Sequence, residues 1–330
     1  MLDLADAIRT NIASPAVLFF ALGMFAAVVR SDLKIPEAVY VGITVYLLAA
    51  IGFKGGAALS GAQFAEVWKP LLIAIGLGVS IPLWCYPILR SLGRLSAVDA
   101  AAIAGHYGSV SAVTFTAATS FLNNAGSGYE DYAAAFLAIM ESPAIILAIA
   151  LGRLTGPSGK SAERGSWAGI LHEAVLGRSV LLLAGGLVVG LLCGKPGLEL
   201  TKPFFVAPFY GVLCLFLLEM GTVAGRRLGD LRKAGLFIAV FAIVMPLLHG
   251  AIGVGLGHAA GLSVGGATLV GVLAASASYI AAPAAIRLSL PDANPTLYLT
   301  SSLVITFPFN ITFGIPIYFA MAKWWGGDAP

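Results

Sequence analysis

The chain has 330 residues, 59% of them hydrophobic and 11% charged, with a net charge of +3 and a mean hydropathy of +0.93. Soluble domains carry about a quarter of their residues as charges, so this composition excludes a soluble globular protein, and the small net charge leaves no basic surface for nucleic acid. The apolarity comes in long runs of Ala, Leu, Ile, Val and Gly rather than ten-residue alternations, which predicts an all-α integral membrane protein and not a barrel.

Met1 to Asn11 carries Asp3, Asp6 and Arg9. That is no basic n-region, so the first apolar run reads as a retained span and not as a cleaved signal. Apolar runs of about 20 residues predict ten helices, at about 14–30, 37–60, 70–90, 97–122, 132–152, 174–194, 203–225, 234–257, 265–287 and 296–322. The longest connection, Thr155 to His172, is the only polar stretch long enough to be a linker, and it falls mid-chain. The organisation expected is a five-helix repeat over 1–153, a cytoplasmic linker over 154–173 and a second five-helix repeat over 174–330.

Lysine and arginine orient the spans, because positive connections stay in the cytoplasm. Thirteen fall on one side (Arg30, Lys34, Arg90, Arg94, Arg153, Lys160, Arg164, Arg178, Arg226, Arg227, Arg232, Lys233, Arg287) and five on the other (Arg9, Lys69, Lys195, Lys202, Lys323), with Lys54 inside a span. Both termini are then expected outside a bacterial inner membrane.

Several features recur at nearly half the chain length. Pro36 and Pro203 are each read as opening a span, 167 residues apart; Gly42/Gly211, Gly52/Gly221 and Gly56/Gly225 lie 169 apart; Ser109-Val110-Ser111 and Ser276-Ala277-Ser278 lie 167 apart; Ser142-Pro143 and Phe307-Pro308 lie 165 apart. An ordered series at nearly constant offset points to an internal repeat. Five spans per repeat is odd, so the second copy must enter the membrane inverted.

The paired serine strings interrupt spans 4 and 9. A helix broken near mid-membrane exposes amides and the positive end of a half-helix dipole, a site for a small anion. Gly108, Ser109, Val110, Ser111, Ser276, Ala277 and Ser278 are the candidate substrate residues, with Tyr279 and Pro283 marking the second break. Small residues at helix contacts are the alternative explanation for either string alone. Glu141 and Ser142 in span 5, with Thr114, Thr306 and Asn310, offer hard oxygens for a sodium ion or for each other, since intramembrane polar groups need partners. Lys54 and Glu219 could form a buried ion pair or line a cavity; His106 reads most simply as a hydrogen-bonded helix-break residue, and His106 and Tyr107 join them as candidate gating or cavity residues. Cys85, Cys193 and Cys214 lie in apolar runs with no CxxC or Cys/His pattern and read as buried small hydrophobes. No Walker A, GxSxG or HExxH string is present, so nothing supports ATP-driven transport or membrane proteolysis.

Four strings carry a resemblance: Leu33-Lys34-Ile35-Pro36-Glu37-Ala38, Ile51-Gly52-Phe53-Lys54-Gly55-Gly56, His106-Tyr107-Gly108-Ser109-Val110-Ser111 and Ser276 to Pro283. Together they resemble the sodium-dependent bicarbonate transporter family known from cyanobacteria. The resemblance implies sodium-coupled bicarbonate uptake, no cofactor beyond sodium as coupling ion, core and gate domains, a homotrimer in the lipid bilayer, and in that family a cytoplasmic PII-like inhibitor. The linker here is short for such regulation. A sodium-coupled carrier of another small anion or carboxylate, or an anion channel, is the alternative the residues leave open.

Overall fold

The computed structural model describes residues 4–155 and 176–327, and among these there is no strand. Most of the predicted linker lies outside the described residues. A short helix, α1 (Leu4–Ile12), precedes α2 (Pro15–Val28) at a bend of 56°. Ser14 makes the corner: its hydroxyl accepts from the Val17 amide at 3.4 Å, and Pro15 fills the first turn, where no amide is needed. Then follow α3 (Glu37–Leu59), α4 (Phe64–Ser91), α5 (Ala97–Gly108), α6 (Ala112–Asn124) and α7 (Ala134–Thr155). After the linker come α8 (Arg178–Phe205), α9 (Phe209–Arg226), α10 (Leu231–Ala259), α11 (Val264–Ala275), α12 (Ala281–Ser289) and α13 (Pro295–Trp325), the last with wide π-type turns at Thr300–Thr306 and Asn310–Gly314.

Seven described helices are long and apolar enough to cross a membrane, or eight if α1 and α2 count as one span. The four exceptions are α5, α6, α11 and α12, of 12, 13, 12 and 9 residues. At 1.5 Å per residue each reaches about 14–20 Å, well short of the ~30 Å hydrocarbon layer. They occupy the two stretches predicted as spans 97–122 and 265–287. One predicted boundary is wrong. Pro203 opens no span: α8 runs on to Phe205, and α9 starts at Phe209 behind Pro208. The bend falls instead at Gly194, whose φ of +60° only glycine adopts freely. Cys193, just before that bend, is exposed, unlike Cys85 and Cys214, because α8 is buried on so little of its surface.

Two helix pairs form the most extensive contacts, α3 with α8 and α2 with α9. Their glycines explain why. A Cβ at Gly52 or Gly56 would overlap the carbonyls of Leu183 and Leu187 on α8, and one at Gly190 would overlap that of Phe53 on α3. In the second pair, Gly221 meets the Phe20 carbonyl and Gly23 that of Leu218. Where lipid is as apolar as leucine, backbone-to-backbone approach of this kind drives helix association. A separate group packs α4 and α7 on α5, and α10 and α13 on α11. The outer face of α8, with Leu181, Val188, Leu192 and Leu200, points away from the protein.

Carboxylates fasten the outer ends of α5 and α11. Asp99 in the first turn of α5 accepts from the Asn294 amide at 2.7 Å and from the Ser96 hydroxyl at 2.6 Å. Glu130, in the connection before α7, accepts from the amide and hydroxyl of Ser263, the N-cap of α11, at 2.7 and 3.2 Å. Each places negative charge at a helix N-terminus, where the dipole favours it.

Candidate functional site

The half-length helices meet at their breaks. From Gly108 the chain passes through Ser109 (φ −86°, ψ 147°) to Ser111 (φ −109°, ψ 111°) as extended backbone before α6 begins. Gly108 is required by proximity, since a Cβ there would meet the Pro82 ring of α4 and Ala144 of α7. The second break runs from Ser276 (φ −78°, ψ 163°) to Ile280. Pro283 does not make it; it sits in the first turn of α12, where a missing amide is harmless.

Each break satisfies the other. The Ser278 amide donates to the carbonyls of His106 and Ser109 at 2.8 and 3.1 Å, filling acceptors that the end of α5 leaves open. The Ser111 amide donates to the Ser276 hydroxyl at 3.0 Å, which in turn donates to the Leu273 carbonyl at 2.8 Å. The Ser111 hydroxyl caps α6, accepting from the Thr114 amide at 3.2 Å and the Thr114 hydroxyl at 3.0 Å. The Ser278 hydroxyl accepts from the Ala282 amide at 3.2 Å. Three of the four predicted serine hydroxyls therefore hold the crossing together. The fourth, on Ser109, is fully buried and has no partner. Val110 and Ala277 are buried apolar residues between them. The first amides of α6, on Ala112 and Val113, donate to no group among the described residues.

A cavity of about 10 Å³, the size of a single water or a bare ion, opens at this end of α6. Ser111, Ala112, Glu141, Ser278 and Tyr279 line it from one side, Leu48 of α3 and Ser179 of α8 from the other. Glu141 is 5% exposed and its Oε2 has no hydrogen-bond partner. A carboxylate next to free helix-terminal amides is in a favourable field. It also occupies the ground that a bound anion would want.

The remaining predicted residues divide. Thr306 donates to the Ala242 carbonyl at 2.7 Å, an acceptor that Pro246 leaves without its helical donor, and receives the Tyr107 hydroxyl at 2.7 Å. Asn310 donates to Ala275, the last carbonyl of α11, at 2.8 Å and accepts from the Tyr318 hydroxyl at 3.0 Å. Both close helix defects in this arrangement rather than lining the small cavity. His106 Nδ1 donates to the Ala102 carbonyl at 2.7 Å, its ring stacks on Tyr298 at 4.5 Å, and Nε2 has no partner. Ser142 is half-buried beside Glu141. Lys54 and Glu219 do not pair. The Lys54 ammonium lies over the Phe209 ring at 4.2 Å, at the start of α9, whereas Glu219 stands ten residues further along that helix. That separation is about 15 Å along a helix. Tyr279, Ser179 and Arg178 border the site without having been predicted as part of it. Tyr279 stood out only as a break marker and Arg178 only as a charge for orientation, because nothing local in the sequence brings α8 to α12.

Long apolar helices packed with four half-length ones, with buried polar groups gathered where the short helices meet, define a multi-span integral membrane protein with an internal polar site. A family model described as the Na+-dependent bicarbonate transporter superfamily matches residues 15–323, from the first residue of α2 into the last turns of α13. The chain belongs to that superfamily and is a membrane transporter. No curated protein matches it.

Proposed function

We propose that the protein is a sodium-coupled symporter that imports bicarbonate, with the anion bound at the crossing of α5–α6 and α11–α12. On this reading each interrupted pair is one span, giving ten spans in a 5+5 inverted repeat: α2 to α7, then α8 to α13. The packing supports the symmetry, since α3 on α8 mirrors α9 on α2, and α4–α5–α7 mirrors α10–α11–α13. Spans 3–5 and 8–10 form a mobile core, and α2, α3, α8 and α9 form a scaffold whose outer α8 face suits lipid and a homotrimer contact. The lysine and arginine distribution puts both termini outside.

The observation that carries the reading is the Glu141 carboxylate in the same small cavity as the free end of α6. Two like charges about 4 Å apart repel by roughly 4 kcal/mol at an effective dielectric of 20. With Glu141 ionised, an anion at α6 is therefore disfavoured until a cation joins the carboxylate. Sodium, with Ser111, Ser278 and Glu141 as hard oxygens nearby, removes that repulsion. Thr114 braces Ser111, and Thr306 and Asn310 keep the helix ends in place. Anion and cation then bind well only together, which is the differential affinity that coupling requires.

Purified protein in liposomes tests this. An inward sodium gradient should drive accumulation of radiolabelled bicarbonate, and counterflow should persist without net ion flux. Ser109→Ala and Ser276→Ala should each abolish uptake. Full uptake by both variants would remove the crossing as the site. Efficient competition by formate or acetate would move the substrate class to small carboxylates.

A further inference from the structure

A larger chamber, of about 290 Å³, adjoins the small cavity. Tyr40 and Thr44 of α3, Arg178 and Ser179 of α8, and Ile280 and Ala285 at α12 line it. Ser179 and Ile280 belong to both spaces, so they form the neck between them. The chamber is asymmetric in charge. Among the described residues Arg178, an exposed side chain, is the one cation on its wall. It stands at the first residue of α8, whose N-cap, Gly177, has no side chain to satisfy the free amides. The α12 N-terminus faces the same space, capped at Ala282 only from within the crossing by Ser278. Two positive helix ends thus open on a space several times the ~30 Å³ share of one water, with the exposed Arg178 at its rim. Among the described residues Glu141 lies unpartnered beyond the neck.

We propose that this chamber is a second binding station for a small oxyanion, separate from the crossing, in which Arg178 supplies the selecting charge. It rests on the proposed orientation, which makes it the cytoplasmic station the anion occupies on release. Its size accommodates the anion with part of its hydration shell. The carboxylate beyond the neck disfavours dianions, so a monovalent oxyanion such as bicarbonate is the ligand class. Arginine suits the task because its planar fork matches two oxygens of one anion.

The experiment places a thiol at the neck, Ser179→Cys in a Cys193→Ser background, in the full-length protein. Its rates of modification by a sulfonate-bearing and an ammonium-bearing methanethiosulfonate are then compared. The ratio of the sulfonate to the ammonium rate should fall roughly tenfold when Arg178→Gln is added, the size expected for losing one charged hydrogen bond. It should recover substantially with Arg178→Lys. Bicarbonate should slow modification by the sulfonate reagent more than sulfate does at equal ionic strength. An unchanged ratio in Arg178→Gln, or no protection by bicarbonate, would overturn the station. Since this readout needs no sodium gradient, it stands apart from the uptake test. A protein with the charge preference but no sodium-driven uptake would keep the station and lose the symport reading.

Discussion

Glu141, Ser109, Tyr279 and His106 each have a buried polar atom at the crossing without a partner, and an unmade hydrogen bond of that kind costs about 1–3 kcal/mol. Glu141→Gln keeps shape and removes the charge. If sodium is needed to offset that charge, the variant should bind bicarbonate with little dependence on sodium, and the sodium half-saturation of any remaining uptake should rise at least tenfold. Isothermal titration with bicarbonate in sodium and in choline buffers checks this; an unaltered sodium requirement would take Glu141 out of the coupling. At this scale the sequence was informative where function sits on a local string. Glu141, Ser109 and Ser111 stand out as polar groups in apolar runs. The roles of Thr306 and Asn310 were not legible, because the carbonyls they fill, Ala242 and Ala275, lie far along the chain and one is freed only by Pro246.

At the scale of elements, four of the six glycines in the offset series, Gly52, Gly56, Gly221 and Gly225, are contact points between helices, whereas Gly42 and Gly211 have open space beside them. Gly190→Ala should destabilise the α3–α8 pair, because its Cβ runs into backbone, whereas Gly185→Ala, with open space beside it, should be neutral or slightly stabilising. Thermal denaturation in detergent, followed by fluorescence-detected size exclusion, separates the two. The end fastenings make a second pair. Glu130→Ala removes an acceptor for the Ser263 amide and hydroxyl and should cost about 1 kcal/mol, the usual size of an N-cap loss. Asp99→Ala should act alike at α5, and both should lower the denaturation midpoint without altering the other end's protection from amide exchange. Span positions were legible from hydropathy within a few residues for most helices. The boundary at Pro203 was not, since a proline in the last turn of one helix and a proline before the next look the same in one sequence, and only the position of the Gly194 bend distinguishes them.

For the whole molecule, the two helix groups meet at the site, where Leu48 on α3 and Ala112 on α6 line the same small cavities. Their relation is what sequence periodicity could not supply. Hydropathy locates the apolar runs, and the offset series suggests a relation between the two halves, but neither says which faces slide and which are locked. The glycine contacts bind α3 to α8 and α2 to α9 backbone to backbone, while cavities of about 10 Å³ lie between α3 and the start of α6, with Ile280 just ahead of α12 on the wall of both. Loose packing of that kind is where a rigid core can shift against a scaffold at low cost. A disulfide between Leu48→Cys and Ala112→Cys, in a background with the native cysteines replaced, would tie the two groups across the site. Oxidation should arrest bicarbonate counterflow and reduction should restore it, while a disulfide joining α3 to α8 through Phe53→Cys and Gly190→Cys should leave exchange intact wherever that variant folds. Arrest by both bonds would mean the scaffold itself must flex. Arrest by neither would mean the anion passes without movement of the core, which is the behaviour of a channel.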